Sequence, residues 1–327
     1  MNRHNPFHLI AVAMVLSFFI YLGVGVASAQ RISPASGQEP AVSAFFVSTP
    51  VFLRPCVEEL VKQWKKSEPI VKVVVLDENS DILPGNENGP LIDFIIISTK
   101  KTVLLGNANT TRTDERAYMI LGKLALAIYV NESNPLKGLT IGQIDAIYSE
   151  KRRCGFPYPI QTFGQLGLTG HWIDRQVIPF GISFSTDMNR WFQKACLCGG
   201  TMKDEVKRLD TTVDLFQALA TQPEAIGFYL FGKTEKGVRP VAISREEGED
   251  YFIPSPENIR NGLYPLSATL YVCFNGKEIG EKAVQFLQYC LSEKGQELIS
   301  AYAIIPLYRK GYSGKELPVK RLVPSSH

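Results

Sequence analysis

Apolar positions along this chain recur at two spacings. Between Pro55 and Lys65, Val57, Leu60, Val61 and Trp64 fall three or four residues apart, which predicts a helix with Pro55 at its first position. Ala44 to Val47 reads as a short apolar strand, and Ile70 to Leu76 is Val-rich and alternates, so it reads as another. Asp77 to Pro90 is loaded with Asn, Gly and Pro and reads as a loop. Leu91 to Ser98 is a nearly unbroken apolar run, the pattern of a strand covered on both faces. Strand, helix, strand, loop and strand in succession is α/β sequence.

The same alternation of element types continues. Lys123 to Val130 predicts a strand, which Asn134-Pro135 ends. Thr140 is an N-cap candidate for a short helix carrying Ile141, Ile144 and Ile147, ending near Ser149. Val177 to Phe180 predicts a strand feeding a loop from Gly181 to Asp187, then a helix from Met188 to Cys196. Val213, Phe216 and Leu219 line one face of a helix over Thr211 to Leu219. Ala225 to Leu230, Val238 to Ile243 and Leu270 to Phe274 predict strands. Glu281 to Tyr302 predicts one long helix broken or bent around Gly295. No internal repeat is visible.

At 327 residues the chain can bury about three quarters of its unfolded surface, and two lobes are the natural expectation. An apolar share of 45% against 20% charged residues is too apolar for a disordered chain. The net charge of +3 comes from interleaved basic and acidic residues with no basic-aromatic stripe, so no nucleic-acid partner is expected.

Arg3 and His4 precede a charge-free run from Ile10 to Val26, and Ala27-Ser28-Ala29 follows. That is the layout of a secretory signal peptide over residues 1–29, with a tether over 30–40. An uncleaved anchor is the alternative. The expectation is therefore a periplasmic or otherwise exported protein. Export permits disulfides. Cys56 and Cys290 fall on helical patterns and Cys273 on a strand, as small buried hydrophobes do. Cys154, Cys196 and Cys198 lie in Gly-containing loop sequence, and a bond from Cys154 to either of the others is expected. Cys-x-Cys without a second pair makes no zinc site, so no metal or other cofactor is expected.

Several segments, in order, carry a resemblance. They are Leu139 to Tyr148, Phe163-Gly164-Gln165-Leu166-Gly167, Ala225-Ile226-Gly227-Phe228, Tyr264-Pro265-Leu266, and Phe286-Leu287 with Ser292 to Gln296 and Ile305-Pro306-Leu307. Across residues 41–310 the chain resembles the phosphate-binding proteins of bacterial phosphate ABC importers. The resemblance implies a two-lobed α/β type II periplasmic binding protein, with discontinuous lobes joined by two crossover strands. Lobe one is then 41–124 with 262–327, and lobe two is 125–261. It implies ligand in the interlobe cleft, with an importer's membrane subunits as partners.

A desolvated tetrahedral oxyanion needs a donor for each oxygen. The family pattern supplies hydroxyls, helix N-terminal N–H groups and an Arg fork, and a carboxylate can read a proton on phosphate. Carried over position by position, the resemblance implies as ligand groups Ser48 and Thr49 in the first loop, Ser80 in the second and Ser98 at a strand end. In the third loop it implies Ser183, Ser185 and Thr186, with Arg190 one helical turn on. A plain turn is the alternative for Ser48 and Thr49, and an exposed ion pair for Arg190. The loops are eroded: Asp81 follows Ser80, Ile182 stands at the Arg position, Asp187 at a Gly and Met188 at a Thr. Asp187 is expected to cap its helix.

Two functions remain open. One is capture of phosphate or a related small oxyanion for import. The other is a degenerate binding-protein fold used structurally or for protein interaction, without phosphate. An enzyme is not expected: outside the leader only His171 and His327 remain, and neither Gly-x-Ser-x-Gly nor His-Glu-x-x-His occurs.

Overall fold

The computed structural model describes residues 44–77, 93–99, 116–183, 186–233, 235–275, 279–306 and 320–321. The expected leader and tether lie outside the described residues, as do Ser80, Asp81 and Ser185.

In chain order the elements are β1 (Ala44–Thr49), α1 (Arg54–Trp64), β2 (Lys72–Asp77), β3 (Asp93–Ser98), β4 (Arg116–Asn131), β5 (Gly138–Thr140), α2 (Ile141–Tyr148), β6 (Ile178–Ile182) and α3 (Thr186–Cys196). Then follow β7 (Lys207–Leu209), α4 (Thr212–Thr221), β8 (Ala225–Leu230), β9 (Val238–Pro240), β10 (Ala242–Ser244), α5 (Pro256–Arg260), β11 (Ser267–Asn275), α6 (Glu281–Leu291), α7 (Glu293–Ala301), β12 (Ile305–Pro306) and β13 (Lys320–Arg321). A short 3-10 turn, Val51–Leu53, leads into α1.

The strands form two halves that share β4. In the first, β1 lies between β2 and β3, all parallel, and β3 pairs antiparallel with β11. Residues Arg116 to Ala125 of β4 pair with β11. Residues Leu126 to Val130 of β4 then pair with β8, which carries the parallel pair β6 and β7. The chain thus passes between halves at Ala125–Leu126 and returns at Leu266–Ser267, where Leu126 N–H donates to the Leu266 carbonyl at 3.0 Å.

Leu124 to Val130 are all buried because both faces of β4 are covered. Leu126, Ile128 and Val130 enter one core of the second half, while Ala127 and Tyr129 enter another. Upstream, Ala117, Met119 and Leu121 belong to the core of the first half. There Phe45, Trp64 and Phe286 bring β1, α1 and α6 together, with ring centroids 5.4–5.7 Å apart. β4 therefore begins seven residues before the strand expected at Lys123; its half-buried alternates Tyr118 and Ile120 are apolar too, so no polar residue marks the period.

Two expectations need correction. The stretch Val238 to Ile243 is two strands: β9 pairs the end of β4, and β10 leaves to pair β5. The long C-terminal helix breaks at Ser292, not at Gly295. Ser292 is extended (φ −63°, ψ 162°), and its hydroxyl caps α7 by accepting from Gly295 N–H. Gly295 is there for space: a Cβ would sit 2.2 Å from the Tyr289 carbonyl oxygen. By contrast, α2 starts as expected, with a reciprocal capping box between Thr140 and Gln143.

Cys154 is bonded to Cys198, with Cα atoms 5.5 Å apart. Cys56, Cys196, Cys273 and Cys290 are not disulfide-bonded and are buried. Burial pushes Cys56 up to about 12 and raises Cys196 and Cys290 further, so these three stay protonated and inert at neutral pH. Among the described residues no helix is long and apolar enough to cross a membrane.

Two stability measurements check this account. Gly295→Ala should lower the unfolding free energy by about 1–3 kcal/mol through overpacking. Gly142→Ala, whose Cβ meets nothing nearer than 3.6 Å, should be neutral or stabilising by up to about 1 kcal/mol. Equal urea midpoints for the two variants would refute the packing argument. Replacing Cys154 and Cys198 together by Ser should cost about 4 kcal/mol, the loop-closure estimate for a sequence separation of 44.

Candidate functional site

Parallel strands converge their C-terminal ends, where α/β folds place ligands. In the first half, β1 and β2 end in register at Thr49 and Asp77, with Ser98 closing β3 beside them. In the second half, β6 ends at Ile182 and the chain returns as α3. These two edges meet. Val51 N–H donates to Asp187 Oδ2 at 3.3 Å across 136 residues of sequence. Phe52 stacks on Trp191, with ring centroids 6.3 Å apart and planes 24° from parallel. Phe52 and Trp191 each pack against the first-half core and the larger second-half core.

On the first-half side, Ser48 and Thr49 are not in a turn. They are the last two residues of β1, and both are buried. Thr49 is fully buried, and its Oγ1 has no hydrogen-bond partner among the described residues. Such a hydroxyl costs about 1–3 kcal/mol unless something completes it. Arg54, at the start of α1, donates to Asp77 Oδ1 at 2.6 Å and to the Val75 carbonyl at 3.1 Å, and pairs with Glu58. The hydrogen bond to Asp77, and then that to Glu58, raise its pKa. Its charge is committed to the end of β2.

On the second-half side, the eroded positions have structural explanations. Ile182 and Met188, at the family's Arg and Thr positions, are buried in second-half cores. Neither is an exposed position emptied of its ligand group. Asn189 ties the first turn of α3 to β6 by donating to the Ile182 carbonyl at 2.8 Å. Ser183 donates to Asp210 Oδ1 at 2.5 Å, so its hydroxyl proton joins the ends of β6 and β7.

Asp187 lies inside the first turn of α3, one residue past its start, and so is not the N-cap expected from the sequence. One oxygen takes the Val51 N–H, and the other pairs with Arg190 at 2.6 Å. The Asp187 side chain is 12% exposed and that of Arg190 54%. The far end of α3 is fixed by the Cys154–Cys198 bond. Cys154 N–H in turn donates to Asp145 Oδ2 at 2.7 Å, and this fully buried carboxylate also accepts from the Ser149 hydroxyl.

Thus Ser48, Thr49 and Ser98 lie at strand ends of the first half; Ser183, Thr186 and Arg190 lie at the end of β6 and on α3. Ser80 and Ser185 lie outside the described residues. What the sequence reading missed is the joint itself: Val51 N–H, the cross-cleft reach of Asp187, and the Phe52–Trp191 stack. The Arg54–Glu58 pair has a readable i,i+4 spacing. A contact across more than 130 residues leaves no local mark.

No family model matches the chain. Over 189 residues it is 35% identical to the phosphate-binding protein PstS of Pseudomonas aeruginosa strain PAO1, covering 57% of this chain and 58% of that protein. The PstS of strain UCBPP-PA14 gives the same figures. The match spans less than two thirds of these relatives' length.

Among solved structures, an ABC-type phosphate transport receptor from Vibrio cholerae superposes with TM-score 0.60 at 19% identity, over 80% of this chain and 99% of its own. One described as a possible phosphate-binding protein of Planctomyces limnophilus gives 0.61 at 16%, over 81% and 93%. A putative phosphate ABC transporter substrate-binding protein with bound phosphate, from Clostridium perfringens, gives 0.55 at 18%, over 81% and 100%. The fold is that of a type II periplasmic binding protein, with two lobes. Within that class the chain resembles the phosphate-binding proteins.

The aromatic joint is open to a direct test. A double-mutant cycle with Phe52→Ala and Trp191→Ala should return a coupling of about 0.5–1.5 kcal/mol in unfolding free energy. Strict additivity would mean that the stack contributes nothing to holding the halves.

Proposed function

We propose that the chain is an exported, non-enzymatic solute-binding protein that captures phosphate or a related oxyanion between its lobes and delivers it to the membrane subunits of an ABC importer. The lobes divide nearly as expected, 41–124 with 262–327 against 125–261, except that Tyr264 and Leu266 pack in the second-half core and move the return crossover to Leu266–Ser267. The observation that carries the reading is the fully buried Thr49 hydroxyl at the end of β1, without a hydrogen-bond partner among the described residues and two residues before the Val51 N–H. These are two donors at the edge where such folds take ligands. The start of α3 faces Val51 through Asp187, and its dipole favours negative charge there. Ser48, Ser80, Ser98, Ser185, Thr186 and Arg190 complete the proposed set, with Ser183 joining it only on release from Asp210. The identity to PstS supports the ligand class.

A specific observation favours a second reading. Asp187 already engages the Val51 N–H and Arg190, as a structural or protein-interaction fold without an anion would have it. Titration calorimetry of the mature chain at low salt separates the two. Phosphate binding at micromolar or tighter Kd, lost by at least about tenfold in Thr49→Val, is the expected outcome. Absence of heat with both phosphate and sulfate, on folded protein, would leave the second reading standing.

A further inference from the structure

The carboxylate of Asp187 occupies the groups that an incoming oxyanion would use. It holds a backbone donor of the first half and the guanidinium one turn along its own helix. It is 12% exposed, far less than the Arg190 it pairs with. It stands in the first turn of an 11-residue helix, where the dipole stabilises negative charge. Beside it, the Phe52–Trp191 stack is packed against cores of both halves. Thr49 Oγ1, at the adjoining end of β1, still lacks a partner among the described residues. The carboxylate therefore satisfies one part of the joint and leaves another part unsatisfied.

We propose that Asp187 is a built-in competitor for the oxyanion: a tethered carboxylate that holds the two lobes together without ligand and sets the affinity and selectivity of the cleft. This rests on reading the cleft as an oxyanion site. An anion that binds has to displace Asp187 from Val51 N–H and from Arg190, or else bind beside a negative charge. Either way, the apparent affinity is reduced by the fraction of molecules whose joint is released. Anions that reach Thr49 as well recover part of that loss, because they complete a hydroxyl that Asp187 leaves unpaired. Small monovalent anions recover less than tetrahedral divalent ones.

The test compares wild type, Asp187→Ala and Asp187→Asn, each checked for folding by thermal melt. The first measurement is the radius of gyration by small-angle scattering in phosphate-free Tris chloride. Asp187→Ala should be larger than wild type, outside experimental error. Asp187→Asn keeps an acceptor for Val51 but not the charge, and should fall between them. The second is phosphate and sulfate titration. Asp187→Ala should bind phosphate about tenfold tighter than wild type. An unchanged radius of gyration in Asp187→Ala would overturn the latch, as would phosphate binding that weakens in that variant. A changed radius with no phosphate bound by any of the three would leave the latch standing and defeat the oxyanion reading instead.

Discussion

Everything in this molecule hangs on a single shared strand. β4 is paired to β11 over its first ten residues and to β8 over the next five. A strand held on both sides by successive sheets cannot shift register in one half without exposing buried side chains in the other, because the side-chain period is two. Leu124 to Val130 are buried on both faces, so the passage between halves is anchored by packing as well as by hydrogen bonds. The halves are thereby joined at the strand and meet again at the opposite rim, where the β1 edge contacts α3. On the proposed reading that arrangement gives a cleft one rigid connection and one adjustable contact.

At the adjustable contact, two kinds of force act. The Phe52–Trp191 stack is apolar, insensitive to salt, and belongs to both cores. The Val51–Asp187–Arg190 chain is polar and electrostatic, and on the proposed reading it is the part that an anion would compete with. An aromatic contact alone would close the lobes with no selectivity. A polar contact alone would be weakened by water, since Arg190 is more than half exposed. Side by side, the apolar stack and the charged chain both join the two halves at this rim. Just past the far end of α3, the Cys154–Cys198 bond is tied through Cys154 N–H to the buried Asp145.

What could be read from the sequence was what is local. The Thr140–Gln143 box marks the start of α2 through two hydrogen bonds three residues apart. The unbroken run to Val130 announces a strand covered on both sides. Short-range chemistry failed where space decided. Gly295 looks like a helix breaker, but it is a point of close approach to the end of α6, and the break is made by Ser292, whose hydroxyl caps the next turn. Cys198 was one of two partners open to Cys154, because pairing depends on where the loop after α3 lands. Asp187 looks like an N-cap because Asp at a helix start usually is one. Its contact with Val51, 136 residues away, is a product of the fold.

The eroded loop shows how fold and ligand come apart in physical terms. Ile182 and Met188 sit in hydrophobic cores, so restoring an Arg or a Thr there would bury a polar group among apolar neighbours rather than present it to the cleft. Neither position could take a charged or polar side chain without repacking the second half. The gain of Asp187 is different. It lies at the rim, where its carboxylate meets Val51 N–H and Arg190. On the proposed reading, the negative charge at the start of α3 that meets a donor of the other half either arrives in solution or is carried on the chain by this one side chain, 12% exposed at the rim.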